Sequence, residues 1–256
     1  MTFPAYFVSH GAPTLAIEPS PARDFLSRFG ANLGHPAAIA VISAHWETPE
    51  VRIGAANPPR TIHDFGGFPD ALYQIRYAAS GAPEVATTAA KLLNAAGVAA
   101  SLDPARGLDH GAWVPLSLLR PQADIPVFQV SVQPRLGPEH AAKVGAALAP
   151  LRDDGVILLA SGSLTHNLRE LDWDAANVAD PRAVAFSEWV DAAIRADDRA
   201  ALLDYRARAP YASFHHPTEE HLLPLFAALG ASSGAGKRIH TSATFGNLMM
   251  DAYEFR

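Results

Sequence analysis

The chain has 256 residues and carries 20 lysines and arginines against 26 aspartates and glutamates, a net charge of −6 with histidine neutral. No basic run offsets that balance, so nucleic-acid binding has no electrostatic support, and a hydrophobic fraction of 49% with only 18% charged residues excludes a disordered chain. Cysteine is absent, which removes disulfide frameworks, thiolate-held iron–sulfur clusters, Cys-type zinc fingers and a cysteine nucleophile.

The opening segment MTFPAYFVSHGAP lacks the basic and long apolar stretches of a secretory signal, and no run of 18 apolar residues could span a bilayer. A cytoplasmic protein without membrane or nucleic-acid partners is expected. Along the chain, short apolar runs alternate with helical patterns. Ala5–Ser9 predicts a strand, Pro21–Phe29 a helix, and Ala38–Ser43 and Val51–Gly54 two strands. A long loop, Ala55–Ala71, follows; loops of that length in compact domains are usually functional or disordered. Next come strand Gln74–Tyr77, helix Pro83–Ala96, strand Ala99–Asp103, helix Pro115–Leu119, strand Val127–Val132, helix Pro138–Leu151 and strand Val156–Ser161. Helices Arg182–Ala196 and Glu219–Leu229 and a final strand near His240–Phe245 complete the pattern. Several helices open on proline, whose missing N–H costs least in the first turn, and Gly30, Gly97 and Gly230 mark helix ends. The continuously apolar runs AIAVIS, VFQVSV and VILLAS imply strands buried on both faces. Together these predict an α/β fold: one domain over residues 1–256, with a central mixed or parallel sheet flanked by helices on both faces.

Among the 11 histidines, placement matters more than number. His10 directly follows the first strand, His45 follows AIAVISA, and His166 lies five residues beyond VILLAS. Ligands in open α/β sheets collect at the carboxyl ends of strands, so three strands can deliver a histidine to one edge. His110 sits in the turn Gly107-Leu-Asp-His-Gly111, His63 in the long loop, and His215 and His216 before Pro217. Any single histidine after a strand is most often only a polar residue at a loop start, and His35, His140 and His240 are read that way. The joint pattern points to a shared site. Imidazoles suit Zn, Cu, Fe and Ni, and no thiolate competes.

Other chemistries fit less well. No G-x-S-x-G elbow, P-loop or G-x-G-x-x-G follows a strand. The spacing from His216 to His221 lacks the H-E-x-x-H pattern, and Glu219 and Glu220 read as first-turn acids favoured by the helix dipole. Pro224 is expected to bend that helix.

Six segments in order carry a family resemblance: Ser9-His-Gly-Ala-Pro13, Ser43-Ala-His-Trp-Glu47, His63-Asp-Phe-Gly-Gly-Phe-Pro69, Gly107-Leu-Asp-His-Gly-Ala-Trp-Val-Pro-Leu116, Ser161-Gly-Ser-Leu-Thr-His-Asn167 and His216-Pro-Thr-Glu-Glu-His-Leu-Leu-Pro-Leu225. In them the chain resembles the class III extradiol ring-cleaving dioxygenases, specifically the 4,5-DOPA dioxygenase-like branch. The resemblance implies that His10, His45 and His216 hold one divalent metal. It assigns His166 as the acid–base catalyst beside it, His110 to substrate and oxygen, and His63 to substrate at the mouth. His215 is expected at a loop or rim, with the chain after His216 entering a helix. The third position departs from the wider superfamily, which uses two His and a Glu, so the implied metal is Fe(II) for dioxygenase activity or Zn(II), for which three His is also a constellation. The implied substrates are a small catechol, DOPA-like, and O₂; a homo-oligomer is compatible with the sequence. Two other readings stand beside this one: a three-His zinc hydrolase of the same fold, and a non-catalytic Memo-like binding protein.

Overall fold

In the computed structural model, which describes residues 2–175 and 177–256, eight strands form one mixed sheet. In chain order the strands are β1 (Ala5–Ser9), β2 (Ala38–Glu47), β3 (Val51–Gly54), β4 (Ala100–Asp103), β5 (Val127–Val132), β6 (Val156–Gly162), β7 (Gly236–His240), β8 (Ala243–Thr244), β9 (Leu248–Met249) and β10 (Ala252–Phe255). The helices are α1 (Pro21–Gly30), α2 (Asp70–Tyr73), α3 (Pro83–Ala95), α4 (His110–Leu119), α5 (Gly137–Leu148), α6 (Pro181–Arg195), α7 (Arg199–Leu203), α8 (Tyr205–Arg208), α9 (Ala212–His215) and α10 (Leu223–Gly230). The large sheet runs β4-β3-β5-β2-β6-β1-β10-β7, and β8 pairs only with β9. The four central strands β5, β2, β6 and β1 are parallel, and β10 and β7 extend the sheet antiparallel.

The alternation of side chains along each strand builds two cores. Phe7, Ala40, Ile42, Phe128, Leu158 and Ala160 face α3, α5, α6 and α10. Tyr6, Val8, Ile39, Val41, Ile157 and Leu159 face α1 and α4. Every residue of β1, β5 and β6 is buried, which is why those runs carry no polar alternation.

Several expected elements differ. Gln74–Tyr77 is not a strand: the chain forms the short α2 and then anchors Tyr77, whose hydroxyl donates to the Arg120 carbonyl and whose ring is buried in the core facing α4. The expected strand at His240–Phe245 is divided between the end of β7 and β8, and β9 and β10 are further strands the sequence does not predict. The last long helix begins at Leu223, not Pro217 or Glu219, so Glu219 and Glu220 lie in the preceding turn and Pro224 sits in the first turn, where it need not bend the helix. Helix α4 begins five residues before the expected Pro115, at His110, because Asp109 caps it by accepting the Ala112 N–H.

α5 and α10 cross at van der Waals contact of their backbones. A Cβ at Gly145 would overlap the Ala227 carbonyl, and one at Gly230 the Ala142 carbonyl. Gly145→Ala or Gly230→Ala is therefore expected to destabilise the protein by about 1–3 kcal/mol, the range of core overpacking, as read by urea unfolding. An unchanged midpoint would show that the helices separate freely.

Candidate metal centre and active site

The parallel strands end at one edge, and His10, Ser43, His45 and Ser161 continue there the alternation that faces α4. His10 prolongs the Tyr6–Val8 face of β1, and its N–H donates to the Gly162 carbonyl at the end of β6. β2 leaves its ladder after Ile42, which pairs with Val130, and rejoins at Glu47, which pairs with Val132. The extra residues bulge outward and carry His45 over the edge. The third imidazole arrives from the opposite core. In the turn before α10 the His221 carbonyl accepts the Ser163 N–H, and its backbone lies directly against Gly162, where a Cβ would collide with it.

Three Nε2 atoms converge there. His45 Nε2 is 2.9 Å from His10 Nε2 and 3.2 Å from His221 Nε2. Each ring's Nδ1 faces an oxygen. Ser161 donates its hydroxyl to the Gly111 carbonyl, so it must accept from His10 Nδ1–H at 3.0 Å. His221 Nδ1 donates to Glu220 Oε1 at 2.9 Å, and His45 Nδ1 lies 3.7 Å from Asp64 Oδ2. Hydrogen bonds place the proton on Nδ1 of His10 and His221, and the nearby Asp64 carboxylate favours the same tautomer for His45, which leaves the Nε2 lone pairs facing one another. Burial, reinforced by neighbouring imidazoles, holds His10 and His221 well below the ordinary histidine range. Burial and His110 likewise lower His45 to about 3, against the opposing pull of Asp64. All three are neutral at pH 7. Three unprotonated nitrogens aimed at one another have no proton to share, so the arrangement fits a cation; three imidazole nitrogens at ~2.0–2.1 Å from one ion stand roughly 3 Å apart.

The expected third ligand, His216, is elsewhere. It follows α9, is fully buried, and sets its Nε2 2.8 Å from the Leu164 carbonyl, facing Phe186 and Tyr205 rather than the cluster. His215 is fully buried as well, and so is not a rim residue. The signal for His221 lay in the same segment, five residues on, but nothing local distinguishes a turn histidine from a helical one.

The remaining histidines divide. His166 stacks on His221, with ring centroids 3.4 Å apart and planes at 11°, and its Nδ1 lies 3.9 Å from Glu220 Oε1. Burial lowers it to about 4 despite Glu220. His110 opens α4 with its ring centroid 3.8 Å from that of His45. Its N–H donates to Asp64 Oδ1, and its Nδ1 lies 3.0 Å from the same oxygen, an ion-pair distance without hydrogen-bond alignment. Burial alone would raise Asp64, but the contact with His110 outweighs it and lowers the carboxyl to about 2. His63 turns away from the site, with its Nε2 3.1 Å from the Ile75 carbonyl, and Asp64 and Phe65 line the cavity in its place. That cavity, about 390 Å³, opens onto His10, His45, His110, His166 and His221.

His10→Ala, His45→Ala and His221→Ala are each expected to lose bound metal in elemental analysis. His216→Ala is expected to keep it while losing roughly 1–3 kcal/mol of stability, because the Leu164 carbonyl is left buried without its partner. Metal lost from His216→Ala and retained by His221→Ala would reverse this ligand set.

Residues 4–252 match the family model described as the catalytic LigB subunit of aromatic ring-opening dioxygenase. A Beta vulgaris protein named 4,5-DOPA dioxygenase extradiol is 42% identical over 98% of this chain and 95% of its own length. An Escherichia coli K12 protein of the same name is 39% identical over 90% of this chain and 86% of its own. The crystal structure of an uncharacterized Escherichia coli K12 protein superposes with a TM-score of 0.83 at 31% identity, covering 99% of this chain and 100% of the other. The chain belongs to the LigB family and is an extradiol ring-cleaving dioxygenase.

Proposed function

We propose that this enzyme cleaves a catechol with O₂ next to the hydroxyls, using a divalent metal, Fe(II) in the active form, held by His10, His45 and His221. The convergence of three neutral imidazole Nε2 atoms at 2.9 and 3.2 Å carries the reading. When bound, the ion supplies a positive charge that favours the deprotonated catechol and a template for substrate and oxygen.

The chain's own residues divide the remaining work. His166 is the acid–base group: it is neutral, it lines the cavity, and its Nδ1 faces Glu220, which leaves Nε2 for the substrate hydroxyl. A proton taken there places the imidazolium beside the Glu220 carboxylate, which stabilises it until the proton is returned. His110 is held through Asp64 at the opposite wall and offers a donor to the substrate or to oxygen. Phe65, Phe68 and Leu248 line the cavity and offer an apolar surface to the aromatic ring.

Oxygen consumption by the Fe(II)-loaded enzyme on adding a catechol, with a coloured semialdehyde product, tests the reaction directly; hydrolysis of an ester without oxygen, and no oxygen uptake, would support a hydrolase instead. His166→Gln is expected to retain metal and melting temperature while kcat falls roughly 10²–10⁴-fold, more than KM rises. Retained metal with undiminished turnover would remove His166 from the mechanism.

A further inference from the structure

The loop Ser163–Asn167, which carries His166 away from the end of β6, is tied down along its length. The Leu164 N–H donates to the Ser9 hydroxyl at 3.1 Å, and the Thr165 hydroxyl donates to the Asn247 carbonyl at 2.6 Å and accepts the Met249 N–H. Three more contacts come from one place, the end of α9. A helix leaves its last carbonyls without intrahelical donors, and the loop supplies them here. The His166 N–H donates to the His215 carbonyl at 3.0 Å, and Asn167 Nδ2 donates to the Phe214 carbonyl at 2.6 Å. His216 then turns its ring back, and its Nε2 donates to the Leu164 carbonyl at 2.8 Å.

The His216 ring serves this one bond. A carbonyl can only accept, so the proton is on Nε2, the reverse of the cluster imidazoles, and Nδ1 has no partner among the described residues. The side chain has no exposed surface, and the rings of Phe186 and Tyr205 flank it at centroid distances of 5.5 and 6.2 Å. Without this donor the buried Leu164 carbonyl must turn toward another partner. Turning that peptide moves His166, two residues on.

Resting on the acid–base reading of His166 above, we propose that His216 and the end of α9 form a clamp that holds His166 in its working position. His216 is a positioning residue, acting on the reaction through the Leu164 carbonyl and not through the metal. The clamp grips the loop on both sides of His166, at Leu164 and at Asn167, and so sets its ring on that of His221.

The test compares His216→Met with His216→Gln, side chains of equal length of which only Gln carries the donor, in the Fe(II)-loaded protein with DOPA and oxygen. His216→Met is expected to keep its metal in elemental analysis and its KM within roughly twofold, while kcat falls roughly 10–10²-fold, the scale on which a misplaced group costs. His216→Gln should restore most of that loss. In a His166→Gln background His216→Met should cost nothing further, because the two residues act as one unit. Asn167→Leu, which releases the clamp on its other side, should behave as His216→Met does, and it carries the test if His216→Met does not fold. A crystal structure of either variant should show the His166 ring displaced from its stack on His221. An unchanged kcat per folded molecule, a loss that adds to that of His166→Gln, or an undisturbed stack overturns the proposal and leaves the acid–base reading in place. Undiminished turnover of His166→Gln alone overturns that reading and this proposal with it. If the unaltered protein takes up no oxygen with DOPA, the DOPA-cleaving reading falls, and the position of His166 in the crystal decides the clamp.

Discussion

Three uncharged imidazoles pressed edge to edge in a buried place are the constraint around which the active site is organised. Each must keep its Nδ1 proton, or the lone pairs would no longer converge, so each needs an oxygen on its outer side. Ser161, Glu220 and Asp64 supply those oxygens. Ser161 must act as the acceptor toward His10, because its own proton is committed to the Gly111 carbonyl. The approach also depends on missing side chains. A Cβ at Gly111 would strike Ser43 and His45, and one at Gly162 the His221 carbonyl. Two glycines therefore let α4 and the His221 turn close on the strand ends.

Asp109 ties this arrangement to the sheet. Its fully buried carboxylate accepts from Ser43 of β2, Gln129 of β5, Arg106 and the first turn of α4. A buried charge is tolerated only when its acceptor sites are satisfied, and four donors on separate segments satisfy this one. The same carboxylate thus fixes the start of α4, which carries His110, against the strand that carries His45. The position of the cavity wall that carries His110 follows from a structural charge that does not itself line the cavity.

What was legible in the sequence follows the range of the interactions concerned. β1, β3 and β5 fall on their expected limits, because an apolar run between turn residues is a local signal, and His10 and His45 are found by their attachment to strands. His221 belongs to a turn without periodicity, placed by a backbone contact to Gly162 that no spacing reveals. His216 resembles a ligand in type and neighbourhood, yet α9 ends just before it and directs it to the Leu164 carbonyl. The exchange of His63 for Asp64 and Phe65 has the same origin: in an irregular loop, adjacent residues face different ways for reasons set by distant partners, here the Ile75 carbonyl. β10, with its sequence AYEF, is too short to stand out, and its existence depends on the edge that β1 offers.

The glycine-mediated contact of α5 and α10 bears on how the protein acquires its ion. Residues Leu223–Leu229 are all buried, so the segment that follows His221 is anchored in the core independently of any metal. In small zinc domains the ion's binding energy is spent on folding the chain, and chelation unfolds them. Here the donors stand on a scaffold already closed, so binding energy appears as affinity instead. Affinity at neutral nitrogen donors follows the general order of the divalent ions and not a choice made by the fold. Which ion resides in the site is consequently governed by supply and exchange, and the protein's history of metal exposure becomes part of its activity.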